Sequence, residues 1–361
     1  MSPTIVESEA KSSSLPWLFS ARIDLLTFLG SAALALGLLA IGAPLGLLES
    51  DTPEWTWVFA ILLIDVAHVY ATGFRVYFDR MERSRRPWLY GLTPLLAWAV
   101  GWAVYTESVS LFWRLLAYLA VFHFIRQQYG WVALYRSRAD ERGRLGWWID
   151  AGAIYLATVY PLVYWHTHLP RRFWWFRDGD FASLPVDLVD VLGPLYWTAL
   201  AAYAVRSLYR TWYLKRPNPG KDIVVATTAL CWYIGIITFD SDYAFTVTNV
   251  IIHGVPYMVL VYWYRWQRDG QRQASSVPTI VRFLAVVWIL AYAEELLWDG
   301  GVWHERSWLF GTQWDPGALE GVLVALLAVP QITHYVLDGF IWRRRSSSRL
   351  RSWLRGSAGG S

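Results

Sequence analysis

The chain has 361 residues, 55% hydrophobic, 17% aromatic and only 17% charged, against the roughly 25% charged residues of a soluble globular protein, which argues against an ordinary soluble enzyme. Its net charge of +4 comes from 29 Arg and 3 Lys set against 28 acids; the basic residues cluster in short segments between apolar runs, where they report membrane orientation, not a nucleic-acid-binding face. The single cysteine, Cys231, excludes disulfide frameworks, thiolate zinc sites and cysteine-ligated iron–sulfur clusters within one chain.

Residues 1–22 are polar and mixed in charge, and no secretory signal is expected in them. Three uncharged stretches, Leu25 to Leu48 (24 residues), Pro87 to Thr106 (20) and Tyr243 to Tyr264 (22), are each long enough to span a bilayer as helix, which takes about 20 residues. Taken in order, apolar segments predict ten spanning helices near 25–48, 55–74, 87–106, 110–135, 146–166, 188–209, 223–239, 243–264, 279–298 and 318–342. The ninth is the weakest, with Arg282 at one end and Glu294 and Glu295 at the other. The fold class expected is therefore all-α, a polytopic helical bundle with one transmembrane domain over 23–342, flanked by the polar segment 1–22 and a basic tail at 343–361. The 25 Trp and 21 Tyr suit the two membrane interfaces. The connections at 167–187 and 299–317 read as interfacial caps, and the tail as a segment lying on the anionic inner leaflet or without fixed structure.

Ten spans put both termini on one side. The N-terminal segment, the loops 75–86, 136–144, 206–221 and 265–278, and the tail hold 25 Lys and Arg, whereas the opposite loops hold four: Arg171, Arg172, Arg177 and Arg306. The positive-inside rule assigns the richer side, and both termini, to the cytoplasm of a bacterial inner membrane. Reporter fusions at residues 140 and 218 are accordingly expected to read cytoplasmic and fusions at 178 and 308 external; opposite labelling of 140 and 178 would reverse the assignment.

Ionisable side chains inside spans are costly unless paired or facing a polar cavity, so each is a functional candidate. Four histidines qualify: His68 in DVAHVYATG, His123 in VFHFIRQQYG, His253 in NVIIHGVPY and His334 in PQITHYVLDGF. All lie on even-numbered spans running the same way, and at about 1.5 Å of rise per residue their distances to the following arginines place them in one cytoplasmic-side layer about 10 Å deep. Each has a polar companion three or four residues away, on the same helix face: Asp65 for His68, Gln127 for His123, Asn249 for His253, Gln331 and Asp338 for His334.

The pattern predicts a metal held by His68, His123, His253 and His334. Asp65 and Asp338 stand as the catalytic carboxylates, extra ligands or orienting acceptors, and Asn249, Gln127 and Gln331 as supporting residues around the cofactor. Imidazole and carboxylate suit iron, zinc, copper or manganese, and the absence of thiolate favours a non-haem iron meeting oxygen. Two other readings of the same residues stay open: a proton relay, as in a proton-coupled transporter, or polar packing, and bis-histidine haem binding. His166 and His168, two apart on an interfacial turn, offer a further place for a surface metal. Pro256, three residues after His253, predicts a kink in span 8, and Pro330 one in span 10; Tyr129, Tyr257 and Tyr335 are candidate cavity-lining residues.

Four histidines facing the cytoplasmic side of a helical bundle resemble the integral-membrane desaturases, hydroxylases and related non-haem iron oxygenases, including the bacterial carotene-cleaving dioxygenases. The resemblance covers spans 2, 4, 8 and 10 only. The closely spaced HxxxH and HxxHH boxes of desaturases are absent, which favours one metal over two. It implies an oxygen-dependent oxidoreductase acting on a lipid or isoprenoid drawn from the membrane, with an electron donor as possible partner.

Overall fold

The computed structural model describes residues 15–266, 276–343 and 348–356. The expectations for the first 14 residues, for most of the 265–278 loop and for tail residues 344–347 and 357–361 fall outside them.

Among the described residues the chain is helical, without strands. Seven helices are long and apolar enough to cross a membrane: α1 (Ala21–Gly42), α2 (Glu54–Arg75), α4 (Val109–Arg138), α6 (Asp187–Tyr213), α7 (Pro219–Thr238), α8 (Asp242–Trp266) and α10 (Gly317–Ile341). Three more, α3 (Pro87–Glu107), α5 (Arg144–Thr167) and α9 (Val277–Trp298), coincide with expected spans and have the length without the same apolar composition. Their starts follow local chemistry. Ser20, Ser108, Ser241 and Ser276 accept backbone N–H groups of the first turn, from Ile23, Leu111, Ala244 and Thr279, and Pro87 and Pro219 open helices where no N–H is required.

Helix α8 is the hub, with every residue from Tyr243 to Gly254 buried. It packs against α1, α2 and α4, while α10 packs against α2 and α4. The four histidine-bearing helices thus form a closed ring, α2 to α8 to α4 to α10 and back to α2. Helix α6 lies along α5 at the periphery and exposes Val191, Leu195, Trp197 and Val205.

Three of the ring helices depart from regular α geometry just before their histidines. Wide π-type turns run over Trp57–Val66 and Thr246–Val250, two and three residues ahead of His68 and His253, and α10 breaks at Ala328, before Pro330. A π segment changes the angular phase of everything after it, which is why such turns gather at functional sites. The expected kink at Pro256 is not the main irregularity of α8: the helix is continuous over Ile251–Trp266, and the wide turn precedes it.

The expected caps fold onto the bundle. Asp180 Oδ2 accepts the N–H groups of Trp175, Phe176 and Arg177, and Phe173 stacks on Phe245 at 3.8 Å. Arg306 pairs with Glu54 at 2.9 Å and lies over the Trp57 ring. The described part of the tail has a fixed structure. Ser348–Gly356 forms helix α11, whose Leu350 and Leu354 are buried among Leu18, Phe28, Trp131 and Tyr135, while Arg138 Nη1 donates to the Leu354 carbonyl at 3.2 Å. Two leucines four apart make one apolar stripe, and that stripe meets the bundle.

Candidate metal centre

The ring closes around the four imidazoles. His68, His123, His253 and His334 are at most 2% exposed, and ring nitrogens of His68, His123 and His253 all lie within 4.8 Å of one another, a group of three able to hold a metal ion. His253 Nε2 stands 3.2 Å from His68 Nε2, and His334 Nε2 stands 3.0 Å from His123 Nε2. The His334 ring also lies 4.8 Å, centroid to centroid, from that of His68.

These spacings test the fit of an ion. Two nitrogens bound to one metal at about 2.0–2.1 Å are separated by about 2.8–3.4 Å when they occupy neighbouring octahedral or tetrahedral positions. The two Nε2 pairs fall in that range. The trio lies within 4.8 Å, a bound just above the roughly 4 Å separation of ligands across one ion.

The outward nitrogens are served by other groups. His334 Nδ1 is hydrogen-bonded to Thr72 Oγ1 at 2.7 Å, and Thr72 Oγ1 in turn to the Tyr257 hydroxyl at 3.0 Å. Asp65 Oδ1 approaches His68 Nδ1 at 3.5 Å, and Asp338 Oδ2 approaches His123 Nδ1 at 3.9 Å. In three of the four histidines Nδ1 thus faces an oxygen while Nε2 points inward, the division of labour that orients metal-binding imidazoles. Both carboxylates sit behind the rings, without a hydrogen bond to Nδ1, and not among the inward nitrogens.

The amides are placed differently from the carboxylates. Gln127 lies against His123 and donates Nε2 to the His253 carbonyl at 2.8 Å, tying α4 to α8. Asn249 donates to Phe245 O and Thr248 Oγ1, and its Oδ1 is buried without a partner, as is Gln331 Oε1; among the described residues neither makes a hydrogen bond to an imidazole. Tyr257 and Tyr335 do line the centre, with ring centroids 5.7 Å from His68 and 4.7 Å from His123. Tyr129 instead packs outward against Tyr155. His166 and His168 turn their Nδ1 atoms to the carbonyls of Leu162 and Tyr164 and belong to no metal-ligand group among the described residues.

The structure adds residues that the sequence reading passed over. Thr72, four residues after His68, carried the same spacing signal as the chosen companions. Phe124 stacks face to face on His253 at 3.6 Å and 9°, and no sequence spacing reveals that contact. Glu294 is buried, bonded to Tyr70 and to Trp298 Nε1, which converts the doubtful end of α9 into part of the polar interior beside α2.

Gly254 makes the approach of α8 to α2 possible. A Cβ there would stand 2.6 Å from Ile64 Cγ2 and 3.1 Å from the Ile64 carbonyl oxygen, and a backbone oxygen cannot rotate away. Gly254→Ala is therefore expected to separate the two helices beside His253 and His68, at about 1–3 kcal/mol for overpacking, with lowered thermal stability in detergent and weakened metal retention. Unchanged stability and metal content would show that the close approach is not required.

No protein-family model, curated protein or solved structure matches this chain.

Proposed function

We propose that this helical membrane protein is a metal-dependent oxidoreductase that uses oxygen on an apolar substrate, a lipid or an isoprenoid, drawn from the bilayer. The observation that carries the proposal is the convergence of buried imidazoles from four helices at ligand-to-ligand spacing, with oxygens behind their outer nitrogens. His68, His123 and His253 would hold the ion, with His334 as fourth ligand; an imidazole set suits iron, copper, zinc or nickel, and iron is the choice that goes with the proposed oxygen chemistry. A bound redox metal supplies oxygen activation, and a membrane electron donor is the natural partner if the reaction consumes reducing equivalents.

The chain's own contribution is orientation and dryness. Thr72 fixes the His334 ring through its hydrogen bond to Nδ1, and the carboxylates of Asp65 and Asp338, 3.5 and 3.9 Å from the Nδ1 atoms of His68 and His123, act on those rings by charge. Phe124, Tyr257 and Tyr335 wall the rings and exclude water. The Asp65 side chain is 25% exposed and that of Asp338 11%, while one carboxylate oxygen of each is buried. In this reading the ten-span, cytoplasm-facing topology puts the centre in the inner leaflet half of a bacterial inner membrane.

A second reading has one observation in its favour: Nε2 to Nε2 distances of 3.0–3.2 Å are also hydrogen-bond distances, as a proton relay requires. Elemental analysis separates the two. Protein purified from cells grown with ample iron is expected to carry a transition metal, removed by chelation, and to consume oxygen with a membrane lipid or isoprenoid extract only when loaded. Protein free of metal after such growth, and unable to take it up, would leave the relay.

A further inference from the structure

Helix α4 presents one stripe to the outside of the bundle: Leu111, Leu115 and Phe122 are 43%, 51% and 59% exposed. Steps of four and seven residues keep a position on one helix face, and the next position of that stripe is Arg126, which is exposed too. A guanidinium on a lipid-facing stripe costs several kcal/mol unless its charge is met. Among the described residues it makes no ion pair; its charge reaches Asp338, which lies beyond salt-bridge distance. What surrounds it is aromatic. Arg126 Nη1 donates to the Tyr155 hydroxyl, and the guanidinium carbon lies 5.0 Å from the Tyr129 ring centroid and 5.9 Å from that of Tyr155. The two tyrosines stack at 5.0 Å, and Trp147 Nε1 fixes the Tyr129 hydroxyl at 2.9 Å.

We propose that Arg126, Tyr129, Tyr155 and Trp147 form a binding site for the anionic end of a membrane amphiphile, a phosphate ester or a carboxylate. A guanidinium has five N–H donors, and among the described residues the Tyr155 oxygen is the one hydrogen-bond acceptor that Arg126 meets. Tyr155, accepting from Arg126, keeps its own hydrogen to donate to the same anion. The rings of Tyr129 and Tyr155 hold the cation on its stem, and Trp147, four residues into the chain after Gly143, ties this platform to the start of α5. Arg126 is exposed on the apolar stripe, so lipid oxygens are acceptors within reach of its remaining donors, and bidentate pairing suits a phosphate or carboxylate. The site lies one helical turn from His123 but is independent of whether the imidazoles hold a metal.

The full-length protein in nanodiscs of phosphatidylcholine with a minority of phosphatidylglycerol, ejected and weighed by native mass spectrometry, tests the site. Phosphatidylglycerol is expected to be retained over phosphatidylcholine about fivefold, the value of one basic residue at a membrane surface. R126Q should abolish the preference, and R142Q, in an exposed loop paired with Asp140, should leave it. A parallel arm adds oleate to pure phosphatidylcholine discs: retention of oleate but not phosphatidylglycerol, lost in R126Q, supports the site with a carboxylate as ligand. No preference for either anion in the wild type, or a preference unchanged in R126Q, overturns the proposal. Should R126Q fail to fold, Y155F decides, since it keeps the charge and removes the second donor: a reduced preference supports the site and an unchanged one overturns it.

Discussion

Gln at His68, His123 or His253 is expected to strip the protein of bound metal while leaving the helices folded in detergent. The two consequences separate because the imidazoles have two possible jobs of unequal weight. As a packing element a polar side chain between membrane helices contributes about 0.6 kcal/mol on average, the measured mean in bacteriorhodopsin, and a Gln amide replaces much of that. As a ligand an imidazole nitrogen has no substitute in a neutral amide, so retention should fall by more than the roughly 10- to 100-fold that follows loss of an orienting group. D65N, D338N and T72V should show that smaller loss, since Asp65, Asp338 and Thr72 face outer nitrogens. Metal content by elemental analysis, read beside circular dichroism of the same sample, checks both. Undiminished metal in all three Gln variants would remove the histidines from the ligand set.

The largest stability effect is expected far from the imidazoles, where α4, α5, α6 and α7 meet. Glu141, in the loop between α4 and α5, receives Lys221 Nζ at 2.9 Å, Arg206 Nη2 at 2.8 Å and Arg210 Nη2 at 3.2 Å, and Asn218 Nδ2 at 2.9 Å. Asp150, fully buried, takes Arg136, Arg206 at 2.6 Å and Lys221 at 3.0 Å. Two carboxylates hold four cations, so the removal of either leaves an excess of buried positive charge. E141Q is expected to destabilise the bundle by about 3–5 kcal/mol, the cost of breaking a buried ionic group by deleting one partner. Burial alone would push the Glu141 carboxyl up; the charge of Lys221 and the hydrogen bonds from Asn218, Arg206 and Lys221 outweigh it and hold the carboxyl at about 2, against 4.5 ordinarily. A lowered folded value means that the unfolded chain takes up the proton first on acidification. The contribution of Glu141 is complete above pH 4.5 and is lost as pH falls from there toward 2. Wild-type unfolding midpoints in detergent should drop through that window, and E141Q, already lower at neutral pH, should lose less. A neutral-pH midpoint equal to wild type would show that the cluster is not a clasp.

What the sequence determined by itself follows from rules local to one helix. Uncharged runs mark where backbone hydrogen bonds must be satisfied within the segment, and each expected span coincides with a helix in the structure, although only seven have the apolar composition of a membrane span by themselves. Period and rise fix depth and face along one helix, so His68, His123, His253 and His334 were legible as one layer, with Asp65 on the same helix face as His68. Tertiary structure decided everything that depends on which helix meets which. His123 and His334 touch across 211 residues of chain, and the closure of α2, α8, α4 and α10 into a ring rests on packing such as Gly254 against Ile64, which no periodicity encodes. The same limit explains why Asp338 faces His123 instead of its own neighbour His334, whose Nδ1 is taken by Thr72. It also explains α11, whose basic composition suggested a lipid surface and whose two leucines at a spacing of four are buried against the bundle. Burial is a property of the assembled surfaces, and only their complementarity selects among partners that composition leaves equivalent.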